Sequence, residues 1–368
     1  MMQLSGQIAT PSGLVAGTVG FTDLITHVTA GAAPTDRIIV PGFIDPHVHG
    51  GDGSDTMDGA AGIERLARFH LRHGTTTLLP TTITRPWDEV MAALGAIASL
   101  KVTGIPGGAR IHGAHLEGPF INPHRLGAQP PFAIAATPAL VEAALALDVV
   151  RVVTLACEMP GADDAIDRFA RAGVRVSLGH SAADYPTATS ALNWIRACGC
   201  AACGTHLFNA MGGIEGRNPG LAGALLASPH AFAELILDLH HVHPGAFRLA
   251  QAALGDRLLL ITDAMRATGQ GDGESELGGQ KVIIAGGAAR LAGGSLAGSV
   301  LTLDTAFRNA VASGATISQA ARLTATTAAA YLGLTDRGAI APGLLADLVV
   351  LDGALAVREV WLGGQRHV

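Results

Sequence analysis

Between residues 42 and 335, short apolar runs alternate with stretches of helical spacing, and the alternation repeats eight times. The runs cover 42–49, 75–82, 110–117, 149–157, 174–180, 201–207, 233–242 and 258–263. Segments between them, such as 62–73 and 139–147, bring apolar residues round to one helical face. A strand followed by a helix, repeated, lays down parallel strands. Eight such units predict an α/β chain built on a (β/α)8 TIM-like barrel. An open doubly wound sheet is the alternative, and it would need a reversal in strand order.

The two ends of the chain have a different texture. Residues 3–40 read as short strands broken by turns, notably 13–20 and 23–29, and no helical period shows there. The far end repeats this, with 338–343 leading into strands at 347–352 and 357–362. Neither end can bury an apolar face alone. Residues 1–41 and 336–368 are therefore expected to pair into one small β-sandwich domain beside a barrel spanning 42–335. The glycine-rich stretch 267–299 reads as an inserted hairpin or flap. Two helices are expected after it, 301–312 and 318–332, the second capped by Ser318.

In such a barrel chemistry gathers where the strands end. The first run ends in His47 and His49, two residues apart and so on one face of a strand. The third ends in His115 and Glu117, the fifth in His180, the sixth in His206, the seventh in His240, His241 and His243, and the eighth in Asp263. Each alone has an ordinary structural reading, a core histidine or a helix cap. Together, at one rim of one barrel, they point to a metal site. Imidazole nitrogens with a carboxylate suit Zn²⁺, with Fe²⁺, Mn²⁺ or Co²⁺ as alternatives. Glu117, His180 and His206 would leave a fourth position open, as hydrolysis requires, and Asp263 stands where a general base is needed.

Other classes recede. A net charge of −6 leaves no basic footprint for nucleic acid or an anionic membrane. No apolar span of transmembrane length occurs, and residues 1–5 do not resemble a secretory leader, so a cytoplasmic protein is expected. Cys198, Cys200 and Cys203 lack the second CxxC pair of a structural zinc site and read as reduced core thiols.

The runs Pro41-Gly42-Phe43-Ile44-Asp45, His115-Leu116-Glu117-Gly118-Pro119-Phe120, Leu178-Gly179-His180-Ser181, Thr205-His206-Leu207-Phe208-Asn209-Ala210-Met211 and Thr262-Asp263-Ala264-Met265 resemble the amidohydrolase superfamily. Within it they are similar to the N-acetylglucosamine-6-phosphate deacetylases. The resemblance implies metal-dependent hydrolysis of the acetamide of N-acetylglucosamine 6-phosphate, releasing acetate. N-acetylgalactosamine 6-phosphate is an alternative substrate, and a cyclic-amide hydrolase the alternative activity. It implies Glu117, His180 and His206 as metal ligands and Asp263 as acid and base. Asn209 and Ala210 would contact the phosphate, with Arg217 and His241 as its charged partners. Arg217 is expected to act across a homodimer interface.

Two departures stand out. Gln129 occupies the position at which the family usually has a histidine that polarises the acetyl carbonyl and contacts the sugar. His47 and His49 are both present, whereas some members lack them. Together these predict a second metal held by His47 and His49 and bridged to the first by Glu117, giving one or two metals per subunit. A carboxylated lysine, the bridge in cyclic-amide hydrolases, has no counterpart: Lys101 and Lys281 are the only lysines, and the fourth run ends in Leu155-Ala156-Cys157-Glu158.

Overall fold

The computed structural model describes all 368 residues. Eight parallel strands line the barrel in chain order: Phe43–Val48, Thr75–Pro80, a third strand in two pieces (Arg110–Ile111 and Ala114–Glu117), Val150–Leu155, Arg175–Leu178, Ala202–Gly204, Phe232–Ile236 and Leu258–Ile261. Their side chains are buried almost throughout, which is why these runs read as continuous apolar stretches.

Closure settles barrel against open sheet. Val48 bridges Ala264, and Thr81 bridges His115. The Asp263 N–H donates to His47 O at 2.9 Å, and the Thr262 hydroxyl donates to Asp45 Oδ2 at 2.6 Å. Strand eight therefore returns to strand one with no reversal of order.

Most strands stop before their apolar runs do. The fifth ends at Leu178, the sixth at Gly204 and the eighth at Ile261. In each case the chain leaves extended geometry within two residues, at His180, His206 and Asp263, whose φ angles are 48°, 33° and 50°. Hydropathy cannot register that change.

Both ends of the chain share one seven-stranded sheet, in the order Gln365–Arg366, Val357–Leu362, Leu348–Asp352, Arg37–Pro41, Met2–Thr10, Gly13–Phe21, Ile25–Ala30. Arg37–Pro41 is its centre, parallel to Met2–Thr10 and antiparallel to Leu348–Asp352. The sheet curls until its halves face each other across Ile8, Phe21, Ile39, Leu348 and Val350, and the rings of Phe21 and Trp361 meet edge-on at 5.2 Å. One folded-over sheet thus serves as the sandwich.

The glycine-rich insertion is a three-stranded antiparallel flap: Gly273–Leu277, Gln280–Ala285 and Ala288–Leu291. Its turns are Gly278-Gly279 and Gly286-Gly287, with φ of 58° and 81°, then 58° and 80°. Two successive positive φ values are what a tight hairpin turn matched to strand twist demands, and only glycine adopts them freely. The Gln280 side-chain amide donates to Ala128 O at 2.8 Å and ties the flap to the loop after strand three.

One expectation is corrected. The last helix is capped by Thr316, not Ser318. The Thr316 hydroxyl accepts from Gln319 N–H while the Gln319 side chain accepts from Thr316 N–H, a reciprocal box that Ser318, followed three residues on by Ala321, cannot form. The helix is also interrupted by a wider turn at Arg322–Thr326.

Candidate active site

The strand ends converge on two groups of ligand atoms that share one carboxylate. In the first, Glu117 Oε1 lies 3.2 Å from both His180 Nε2 and His206 Nε2, and those nitrogens are 3.1 Å apart. In the second, His47 Nε2 and His49 Nε2 are 3.3 Å apart, and Asp263 Oδ1 lies 3.5 and 3.2 Å from them. Glu117 joins the two, its Oε2 at 3.2 Å from His49 Nε2 and its Oε1 at 3.6 Å from His47 Nε2. All six residues are buried.

These atoms fit divalent cations. A tetrahedral ion held at 2.0–2.2 Å sets its ligand atoms roughly 3.4 Å apart, close to both spacings. The tautomer of His180 points the same way: its Nδ1–H donates to Arg125 O at 2.9 Å, which leaves the Nε2 lone pair facing Glu117 and His206. Electrostatics agree in the second group. Burial alone would push its imidazoles down, but Glu117 and Asp263 outweigh it, holding His49 at about 9 and His47 well above the ordinary range. Burial likewise works against the Asp263 carboxylate, yet the two imidazoles hold it at about 2.

The left-handed backbone at His180, His206 and Asp263 aims these side chains. Each costs on the order of 1–3 kcal/mol, a strain that structures retain where geometry matters more than stability. His115, two residues before Glu117, is not part of the cluster. Its Nδ1–H donates to Pro46 O and its Nε2 accepts from Thr154, while burial pushes the imidazole well below its usual range. It is a neutral, fully bonded core group.

A cavity of about 270 Å³ opens over the ligand atoms. Gln129, Asn209, Ala210 and His241 line it, with Leu277, Ser295 and Leu296 contributed by the flap and the segment after it. Gln129 Oε1 accepts from Thr84 N–H at 2.7 Å, so its NH₂ is directed onto Glu117 Oε2. His241 donates from Nδ1 to Asp238 Oδ2 at 2.7 Å, leaving Nε2 towards the cavity. Arg217 is not brought to this cavity. It stands exposed on the loop 212–218.

Two residues of this site escape a reading by motif. Glu234 on strand seven meets His47 Nδ1 through Oε2 at 3.0 Å, and Asp238 orients His241. Their charge is the missed signal, since Glu234 and Asp238 are the only charged residues in the otherwise apolar run 231–239.

Residues 38–366 match the model of the amidohydrolase family. The chain is 41% identical over 337 residues to N-acetylgalactosamine-6-phosphate deacetylase of Escherichia coli O157:H7, covering 89% of this chain and 87% of that one. It is 38% identical over 333 residues to N-acetylglucosamine-6-phosphate deacetylase of Vibrio furnissii, covering 89% and 82%. Its fold superposes on N-acetyl-D-glucosamine-6-phosphate deacetylase of Mycobacterium smegmatis, solved as a mutant in complex with N-acetyl-D-glucosamine-6-phosphate. The TM-score there is 0.93 at 35% identity, covering 100% of this chain and 99% of the other. The chain belongs to the amidohydrolase family, as a hydrolase acting on an amide. Within that family its place is among the N-acetylglucosamine-6-phosphate deacetylases.

Proposed function

We propose that the protein hydrolyses the acetamide of N-acetyl-D-glucosamine 6-phosphate to glucosamine 6-phosphate and acetate. The observation that carries this reading is the shared carboxylate: Glu117 lies between two groups of ligand atoms, and Asp263 stands at 3.2 Å from His49 on the cavity side. In our reading Glu117, His180 and His206 hold one divalent cation, and His47, His49 and Asp263 a second, weaker one, with Zn²⁺ the preferred metal and Fe²⁺, Mn²⁺ or Co²⁺ as alternatives. Bound there, such cations supply Lewis acidity, making water nucleophilic near neutral pH and polarising a carbonyl.

The chain's own residues do the rest. Asp263 takes a proton from the attacking water and returns it to the amine nitrogen, which leaves poorly unless protonated. Gln129 steadies Glu117, and its amide faces the cavity where the acetyl group would lie. His241, with Asn209 and Ala210, receives the phosphate, and Arg217 completes that site from the partner subunit of a homodimer. Its exposed position on this chain supports that arrangement. The four free thiols support a cytoplasmic setting.

The reading is tested with N-acetylglucosamine, N-acetylgalactosamine and N-acetylmannosamine, each with and without 6-phosphate, assayed for acetate. Fastest release from N-acetylglucosamine 6-phosphate is expected. Preference for the galactosamine epimer would move the assignment to the activity of the Escherichia coli relative. Asp263→Asn should lower kcat by roughly two to four orders of magnitude. Near-normal kcat in that variant would remove the aspartate from the reaction. Arg217→Met should raise KM for the phosphorylated substrate while sparing its unphosphorylated analogue, and mixing it with Asp263→Asn subunits should recover activity.

A further inference from the structure

Glu234 lies at the middle of strand seven, with no solvent exposure at all. Its Oε2 takes the Nδ1–H of His47, and its Oε1 has no partner. No arginine or lysine salt-bridges it. A carboxylate so placed is unfavourable unless a positive charge stands close by. The other imidazoles of the site are backed differently. His180 donates to a neutral carbonyl, and Nδ1 of His49 and of His206 has no partner. His47 is the one ligand with a carboxylate behind it.

We propose that Glu234 is the positioning residue that creates the second cation site, by locking His47 in the tautomer whose Nε2 lone pair faces His49 and Asp263. The inference rests on the two-cation reading given above. Charge counting is compatible with two cations. Glu117, Asp263 and Glu234 bring three buried carboxylates to one site, one more negative charge than a single divalent cation neutralises. A second cation removes that excess. The carboxylate raises the basicity of His47 and fixes its ring, so the effect falls on one of the two cation sites only. His115, though close to both His47 and Glu234, is excluded as a ligand because both its nitrogens are already bonded.

The test is titration of the chelator-stripped protein with Zn²⁺ by calorimetry, repeated with Co²⁺ by visible absorption. The wild type should take up two equivalents, the second more weakly. Glu234→Gln keeps the shape of the side chain and its hydrogen-bond acceptor but removes the charge. It should leave the first equivalent unchanged and weaken the second by roughly 10- to 100-fold, with kcat restored by excess metal. His47→Asn should abolish the second equivalent, and adding Glu234→Gln to it should change nothing further. A merely structural role would alter melting of the stripped protein and leave the second binding constant alone. If Glu234→Gln does not fold, Glu234→Asp, which keeps the charge but shortens its reach, should show the same selective loss. Unchanged binding of both equivalents, or equal weakening of both, overturns the role of Glu234. Uptake of one equivalent by the wild type would instead overturn the two-cation reading, and this inference with it.

Discussion

At the scale of single residues, the site divides into groups that bond to a ligand and groups that hold those groups in place. Asp238 is of the second kind. Its Oδ1 accepts the backbone N–H groups of His240 and His241 while Oδ2 takes the His241 ring. Burial would raise its carboxyl, but these bonds hold it below the usual range. Asp238→Asn weakens the hold on the ring, so KM for a 6-phosphorylated substrate should rise by roughly tenfold, the worth of one hydrogen bond to a charged group, with kcat changed far less. Steady-state kinetics with and without the phosphate read this directly, and an equal change for both substrates would detach Asp238 from phosphate binding. The convergence of Glu117, His180, His206 and Asp263 was legible because few side chain types suit such a cluster and strand ends are where they stand. Glu234 was not, because closure of the barrel brings its partner His47 to it from far along the chain, and Asp238 was not, because its bonds to His240 and His241 depend on a local turn that hydropathy does not mark.

At the scale of elements, the strands were legible in number and order but not in extent. Alternation of apolar strand and amphipathic helix survives in any sequence that folds this way. A switch to left-handed backbone at His180 or His206 leaves no mark on hydropathy. The flap was legible from its glycines, though not its third strand, since short strands with exposed faces have little hydrophobic period. What the flap does follows from its fastening. Gln280 bonds to Ala128, one residue from Gln129, while Leu277 and Leu296 cover the cavity. Gln280→Leu removes that bond, worth about 1 kcal/mol. It should lower kcat/KM by several-fold while leaving the thermal midpoint nearly unchanged. Kinetics alongside a melting curve check this, and a fall in the midpoint with unaltered kinetics would make the flap a stabilising cover only.

At the scale of the whole molecule, the barrel carries a buried group that contributes to its sensitivity to acid. His70, on the helix Ala60–Arg72, donates to Gly50 O at 2.9 Å, and burial pushes its imidazole down to about 4. The folded form binds that proton less readily than the unfolded chain, so stability is lost as pH falls from about 6.5 to about 4, by up to about 3 kcal/mol. Urea unfolding at pH 7 and pH 5 should show this, and His70→Gln, which keeps a donor for Gly50 O, should flatten the difference. An identical slope in wild type and variant would clear His70 of it. The central strand of the small sheet has a consequence of another kind. Arg37–Pro41 needs Leu348–Asp352 along one edge, yet after Gly42 it runs directly into the strand carrying His47 and His49. During synthesis, that edge stays bare until nearly the whole barrel has been made. The strand carrying His47 thus finds its first neighbour, Thr75–Pro80, early in synthesis, whereas the sheet strand that leads into it waits for almost the last residues of the chain.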